Sequence, residues 1–192
     1  MDDEGHLSEP CFPGEPTREF LESLYECYNR KKYIPPDPLE FVLRYDDPRD
    51  QEVVGLIASA LAYGRVAQIH RSVSKVLARM GTSPHRFILE HPAHFFRECF
   101  HGFKHRFTTD LQLASLLASI RRMLGEHGSL EACFTSGIKP GDATILKALT
   151  RFARELREDM DGPDAMFIPS PDRGSACKRL HLFLRWMVRR DD

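Results

Sequence analysis

The stretch Asp47-Pro48-Arg49-Asp50-Gln51-Glu52-Val53-Val54-Gly55-Leu56-Ile57-Ala58-Ser59-Ala60-Leu61-Ala62-Tyr63-Gly64-Arg65 decides the fold class. A capping Asp and a Pro at the first helical position open a helix. From Val53 to Ala62 the run is apolar on nearly every side, and a helix of that kind belongs in the middle of a core. Tyr63-Gly64-Arg65 ends it, and Val66 to Met80 forms the next helix, with Gly81 as its C-cap.

Similar start signals recur on both sides. Thr17 caps a segment running to about Lys32, with Phe20, Leu21, Leu24, Tyr25 and Tyr28 on one face. Asp37-Pro38-Leu39-Glu40 and Ser83-Pro84 open further helices. Asp110 to Leu124 is amphipathic, Ser129-Leu130-Glu131 opens a short helix, and Asp142 to Glu158 a longer one. The stretch 161–174 holds three prolines and two glycines, which makes it a loop, and a last helix starts near Ser175. No alternating strand, Gly-x-Gly-x-x-Gly or internal repeat is found. The expectation is an all-α, compact multi-helix domain over 17–192, preceded by a flexible acidic leader over 1–16.

The chain has 192 residues, 42% of them hydrophobic, enough to bury one substantial core. Lys+Arg total 27 against 28 Asp+Glu, for a net charge of -1. That balance excludes a protein coated in basic charge, but the charges are unevenly spread. Asp2, Asp3, Glu4, Glu9, Glu15, Glu19, Glu22 and Glu26 face only Arg18 in the first 26 residues. Near the end, Arg173, Lys178, Arg179, Arg185, Arg189 and Arg190 face only Asp172, and a local patch of this kind can meet a polyanion. Cys11, Cys27, Cys99, Cys133 and Cys177 are scattered with no Cys-x-x-Cys pair, so neither a disulfide framework nor a zinc knuckle is expected. No signal peptide or membrane span is read, and a soluble cytoplasmic protein with no membrane partner is the expectation.

Four places could carry chemistry. His91, His94, His101 and His105 cluster around Cys99, and on a helix His101 and His105 would share a face as metal ligands do. No carboxylate stands at a ligand offset, so loop and helix-end histidines are the expectation, with no metal. Phe100-His101-Gly102-Phe103-Lys104-His105-Arg106-Phe107 alternates aromatics with cations. It suits base stacking and phosphate contact through Lys104, His105 and Arg106, or else a loop anchored to the core by its Phe residues. Tyr63, Gly64 and Arg65 form a tight turn that could enter a groove. Last, Arg173-Gly174-Ser175-Ala176-Cys177-Lys178-Arg179-Leu180 opens a helix whose free N–H groups attract phosphate and whose first turn presents an amine. A solvated cationic helix face is the plain alternative.

Taken together, Tyr33 to Phe41, Asp47 to Asp50, Leu61 to Val66, Gly102 to Phe107 and Gly174 to Leu180 resemble a bacterial family known as domain of unknown function 2400. The likeness covers nearly the whole chain after the leader, and that family brings no established activity. More distantly the chain is similar to the helix-hairpin-helix DNA glycosylases, the endonuclease III and 8-oxoguanine glycosylase superfamily. That similarity implies an all-α fold, a DNA partner, and a hairpin Gly-x-Gly-x-Lys whose Lys attacks the sugar C1′. Gly174 and Lys178 match at the same spacing, Ala176 replaces the second Gly, and Pro171-Asp172-Arg173 stands where Leu-Pro is usual. Lys178 is then the implied catalytic residue. Arg173, Gly174, Ser175, Arg179 and Arg185 are the nucleic-acid contacts the resemblance implies, and Tyr63-Gly64-Arg65 falls where the superfamily fills the gap left by a flipped base. No set of four closely spaced cysteines is present, so no iron–sulfur cluster or other cofactor is expected. The superfamily's catalytic Asp, in a Pro-x-Asp-x-His segment, would follow Lys178 by more than the chain extends to Asp192. A C-terminally shortened, inactive version of a glycosylase or lyase is therefore expected. The alternative is a non-catalytic nucleic-acid-binding or protein-interaction module with the same fold.

Overall fold

The computed structural model describes residues 17–160 and 167–188. Among the described residues, 17–34 belong to one unit and those from Pro35 to Val188 to a second. In the first unit, α1 (Arg18–Tyr28) starts at Thr17, whose hydroxyl accepts from the Phe20 N–H. The acidic leader over 1–16, Arg189, Arg190 and part of the expected 161–174 loop lie outside the described residues.

The second unit is helical apart from one small hairpin. Its helices are α2 (Leu39–Val42), α3 (Pro48–Ala60), α4 (Val66–Met80), α5 (Pro84–Glu90), α6 (Ala93–Cys99), α7 (Asp110–His127), α8 (Leu130–Thr135), α9 (Leu146–Glu155) and α10 (Lys178–Val188). The all-α class holds. Asp47 caps α3 by accepting from the Arg49 N–H, and Val53 to Ala60 are buried without interruption. With no polar face, α3 is enclosed by α2, α4, α5, α8 and α10. Its closest neighbour is admitted by Gly55: a Cβ there would sit 2.8 Å from Met187 Cε and 3.4 Å from the Phe183 ring. Omitting the Cβ lets α10 lie against α3.

Two carboxylates, one buried and one half-buried, tie distant starts together. Asp50, 6% exposed, accepts from the Ser83 hydroxyl and the His85 N–H, joining α3 to the first turn of α5. Glu52 accepts from the N–H groups of Leu130 and Glu131 at 3.0 and 2.9 Å, capping α8 across the core. Burial pushes the Glu52 carboxyl up, against those two bonds.

Three local expectations change. α9 begins at Leu146 rather than Asp142, because Asp142 instead accepts from the Lys139 N–H and pairs with Lys147, closing a turn. α10 begins at Lys178 rather than Ser175, because the chain must first pass through Cys177 at φ 49. The stretch around Lys104 is a hairpin rather than a plain loop: β1 (Lys104–His105) pairs antiparallel with β2 (Thr108–Thr109), in the register Lys104 to Thr109 and His105 to Thr108. Among the described residues no helix is long and apolar enough to cross a membrane.

Candidate nucleic-acid interface

Three segments far apart in sequence meet at Tyr63, just past the end of α3. The Tyr63 hydroxyl donates to the His105 carbonyl at 2.8 Å. It accepts from the Thr108 N–H at 3.1 Å and lies 2.6 Å from the Thr108 hydroxyl. One donor and two lone pairs are then fully used. His105 answers through its ring, Nε2 donating to the Tyr63 carbonyl at 3.1 Å while Nδ1 meets the Ser72 hydroxyl of α4 at 2.8 Å. Its imidazole stands edge-on to the Tyr63 ring, 4.8 Å between centroids. Burial pulls the His105 pKa down, against the carbonyl bonds that favour its protonated form.

The third segment is the start of α10. Arg179 donates to the Ala60 carbonyl and to the Phe167 carbonyl, both at 2.6 Å, and its guanidinium lies over the rings of Tyr63 and Phe167 at 5.2 and 5.4 Å. It satisfies a carbonyl left open at the C-terminal end of α3, a group that would otherwise be orphaned. Burial lowers its pKa, although a guanidinium stays charged at neutral pH. Tyr63, Phe107, Thr108, Gln112, Phe167 and Arg179 line a cleft of about 420 Å³ beside this junction.

Gly64 is required twice over. Its φ is +97°, and a Cβ would fall 2.5 Å from Cδ of Arg106. Arg106 therefore lies against the Tyr63-Gly64-Arg65 turn while remaining exposed.

Two of the expected contacts need correction. His105 is 2% exposed with both ring nitrogens engaged, so it is a post under the hairpin and not a surface contact. Arg179 is a half-buried strut whose bonds go to the protein's own carbonyls. Lys178, the residue before it, is exposed at the first position of α10. Gly174 takes the left-handed conformation at φ 72 after a 3-10 turn over Pro171–Arg173, and the Ser175 hydroxyl accepts from the Cys177 N–H.

Tyr63, Gly64, Arg65, Lys104, His105, Arg106 and Arg179 gather around the cleft and its hairpin. Arg173 and Arg185 do not line that cleft. Arg173 borders a different one, with Arg154, Glu155, Arg157, Glu158 and Asp172. Arg185 edges an apolar groove of about 590 Å³ lined by Phe134, Ile138, Phe183 and Val188.

Among the expected contacts, Arg65, Lys104, Arg106, Arg173, Lys178 and Arg185 are exposed without an ion pair to a described residue, as are Arg30, Lys31, Lys32, Arg71, Lys75, Arg79, Arg97 and Lys139 elsewhere on the chain. Arg18, Arg44, Arg49, Arg86, Arg122, Lys147, Arg151 and Arg154 instead take carboxylate partners.

The histidine pair does not form a ligand face, since His101 lies in the turn after α6 while His105 is on β1. Glu126, His127 and Glu155 bring ligand atoms within 4.8 Å of one another. Arg122 already occupies that spot, at 3.1 Å from Glu126 and 3.0 Å from Glu155.

Sequence reasoning missed Phe167, Gln112 and Ser72, and it read Phe107 only as one aromatic of the alternating segment. In strict alternation Phe103 and His105 point inward, and Phe107 would follow them. The positive φ of Arg106, 52°, breaks the alternation and leaves Phe107 82% exposed.

No curated protein and no solved structure matches the chain. A family model described as "Protein of unknown function (DUF2400)" matches residues 37–192, which takes in the Tyr63 junction, the hairpin and α10, and the chain belongs to that family.

Proposed function

We propose that this is a nucleic-acid-directed protein of the base-excision kind. Its unpaired cations hold the phosphate backbone, and Lys178 supplies an amine to a sugar C1′. The supporting observation is where four of the exposed cations stand. Arg65, Lys104 and Arg106 stand exposed around a rigid junction, Lys178 stands exposed beside the Arg179 strut, and none has an acidic partner among the described residues. A polyanion is the counter-charge such a surface lacks.

At an abasic site the chemistry would balance simply. The lone pair of Lys178 Nζ adds to the open-chain aldehyde carbon, water leaves, and a C=N bond remains. Borohydride reduces that bond to a stable secondary amine. The test is trapping on an abasic duplex, with Lys178→Ala beside the unaltered chain. A Lys178-dependent adduct is expected, and its absence would remove the nucleophile role.

A second function, binding without turnover, is favoured by one feature: among the described cleft residues Tyr63, Phe107, Thr108, Gln112, Phe167 and Arg179, none is a carboxylate able to act as general base. Salt-dependent binding with no adduct would select it. Absence of nucleic-acid binding at low salt would sink both and leave a protein-interaction role.

A further inference from the structure

Phe107 is the most exposed of the large apolar side chains among the described residues, at 82%, and the Arg106 guanidinium lies 5.6 Å from its ring centroid. The hairpin register makes Arg106 and Phe107 its two-residue tip. Such tips favour Gly, Asn or Asp at positive φ, yet Arg106 takes φ 52 with a long side chain. The left-handed conformation costs a non-glycine residue about 1–2 kcal/mol, and strain of this kind is retained where the surroundings hold it. Here they do. His105 and Thr108, the pair closing the tip, are 2% and 1% exposed and are bonded to Tyr63. The tip is presented on a fixed base.

Beneath it lies the cleft of about 420 Å³, with Phe107 on its rim and the rings of Tyr63 and Phe167 in its lining. Gln112 adds a polar edge: its Oε1 accepts from the Thr109 N–H, and its amide N–H groups bond nothing among the described residues. The flanking side chains Lys104 and Arg106, and Arg65 on the neighbouring turn, are exposed cations without ion pairs among the described residues.

From this we infer that Phe107 is a stacking platform for one unstacked nucleobase, held at the mouth of the Tyr63–Phe167 cleft while Lys104 and Arg106 neutralise the adjoining phosphates. An aromatic face stacks on any base, and flanking cations select a polyanionic strand over an apolar protein surface. The inference rests on the nucleic-acid function proposed above and adds the residue and the group it takes. An unstacked base can come from a single strand or from a duplex defect.

The experiment uses the full chain and three 2-aminopurine oligonucleotides: a single strand, a duplex with the probe opposite an abasic site, and a matched duplex. Affinity and fluorescence are read for the unaltered chain, Phe107→Ala, Phe107→Trp and Lys104→Ala. Phe107→Ala is expected to weaken binding about 5- to 100-fold wherever the base is unstacked and to abolish the fluorescence change. Its salt slope should stay the same, since no charge is lost. Phe107→Trp should restore both signals, and Lys104→Ala should lower the slope while keeping the fluorescence change. Which of the two unstacked substrates responds identifies the source of the base. If Phe107→Ala binds every oligonucleotide as the unaltered chain does, the platform is refuted and the nucleic-acid function stands. If the unaltered chain binds none at low salt, both fall together.

Discussion

Tyr63 and His105 hold each other twice: the Tyr63 hydroxyl donates to the His105 carbonyl at 2.8 Å, and His105 Nε2 donates to the Tyr63 carbonyl at 3.1 Å. Forty-two residues separate them. A reciprocal clasp of this kind fixes the hairpin to the end of α3 in both position and tilt.

Removing the hydroxyl should therefore be costly out of proportion to one atom. Tyr63→Phe leaves the His105 carbonyl and the Thr108 N–H without their partner in a half-buried site. The expected loss is about 1–3 kcal/mol of unfolding free energy. Urea denaturation of the pair of proteins measures it; a difference within error would mean that water replaces the hydroxyl.

His105 should also make stability depend on pH. Its folded pKa lies below the ordinary 6.5 because burial disfavours the imidazolium. Below 6.5 the unfolded chain binds the proton more readily than the folded one, so stability is full above that pH and declines as pH falls towards the folded value. Thermal melts of the unaltered chain and His105→Gln between pH 7.5 and 5 test this. The destabilisation on acidification should be smaller in the variant, and parallel curves would refute it.

Gly64→Ala meets two obstacles that can be separated. The backbone at φ +97 disfavours a Cβ by about 1–2 kcal/mol, and the Cβ also collides with Arg106 at 2.5 Å. The collision involves a flexible side chain, so the backbone penalty should dominate. In an Arg106→Ala background the loss should shrink slightly and persist. A double-mutant cycle in which the loss vanishes would make the contact the whole cause.

Arg179→Lys keeps the charge and should still fail as a strut. A single ammonium cannot reproduce the planar fork that reaches both Ala60 and Phe167. A loss of about 1.5–3 kcal/mol is expected, the range for a hydrogen bond to a charged group. Hydrogen exchange would place that loss at the C-terminal end of α3 and the start of α10.

Surface cations should behave oppositely. Arg65→Ala and Lys104→Ala should leave the melting temperature unchanged and each reduce the slope of log binding constant against log salt by about 0.9 on duplex DNA. Variants with unaltered slopes would place the phosphates elsewhere.

What the sequence made legible follows from range. Thr17, Asp47, Ser83 and Ser129 each cap the helix expected of them, because the bond runs only two or three residues along the chain. α3 was legible because an all-round apolar helix has one place to go. The hairpin was not, since two-residue strands are too short to show a period. Nor was the fate of Arg179, which is decided by a carbonyl 119 residues away. Phe107 depends on the sign of one dihedral angle at Arg106, and no pattern of residue types records that sign.

A net charge of -1 also conceals an ordering. On α7, Arg122 gathers Glu126, Glu155, Glu158 and Asp159 within 3.2 Å, so four acids crowd one cation. Gln112, at the other end of the same helix, lines the cleft beside the unpaired cations. Ten residues of helix span about 15 Å, and the backbone amides of α7 add partial positive charge at the Gln112 end. The positive end of the α7 helix dipole therefore faces the cleft. At low ionic strength, where the screening length approaches about 30 Å, the field at that end reaches furthest into solvent.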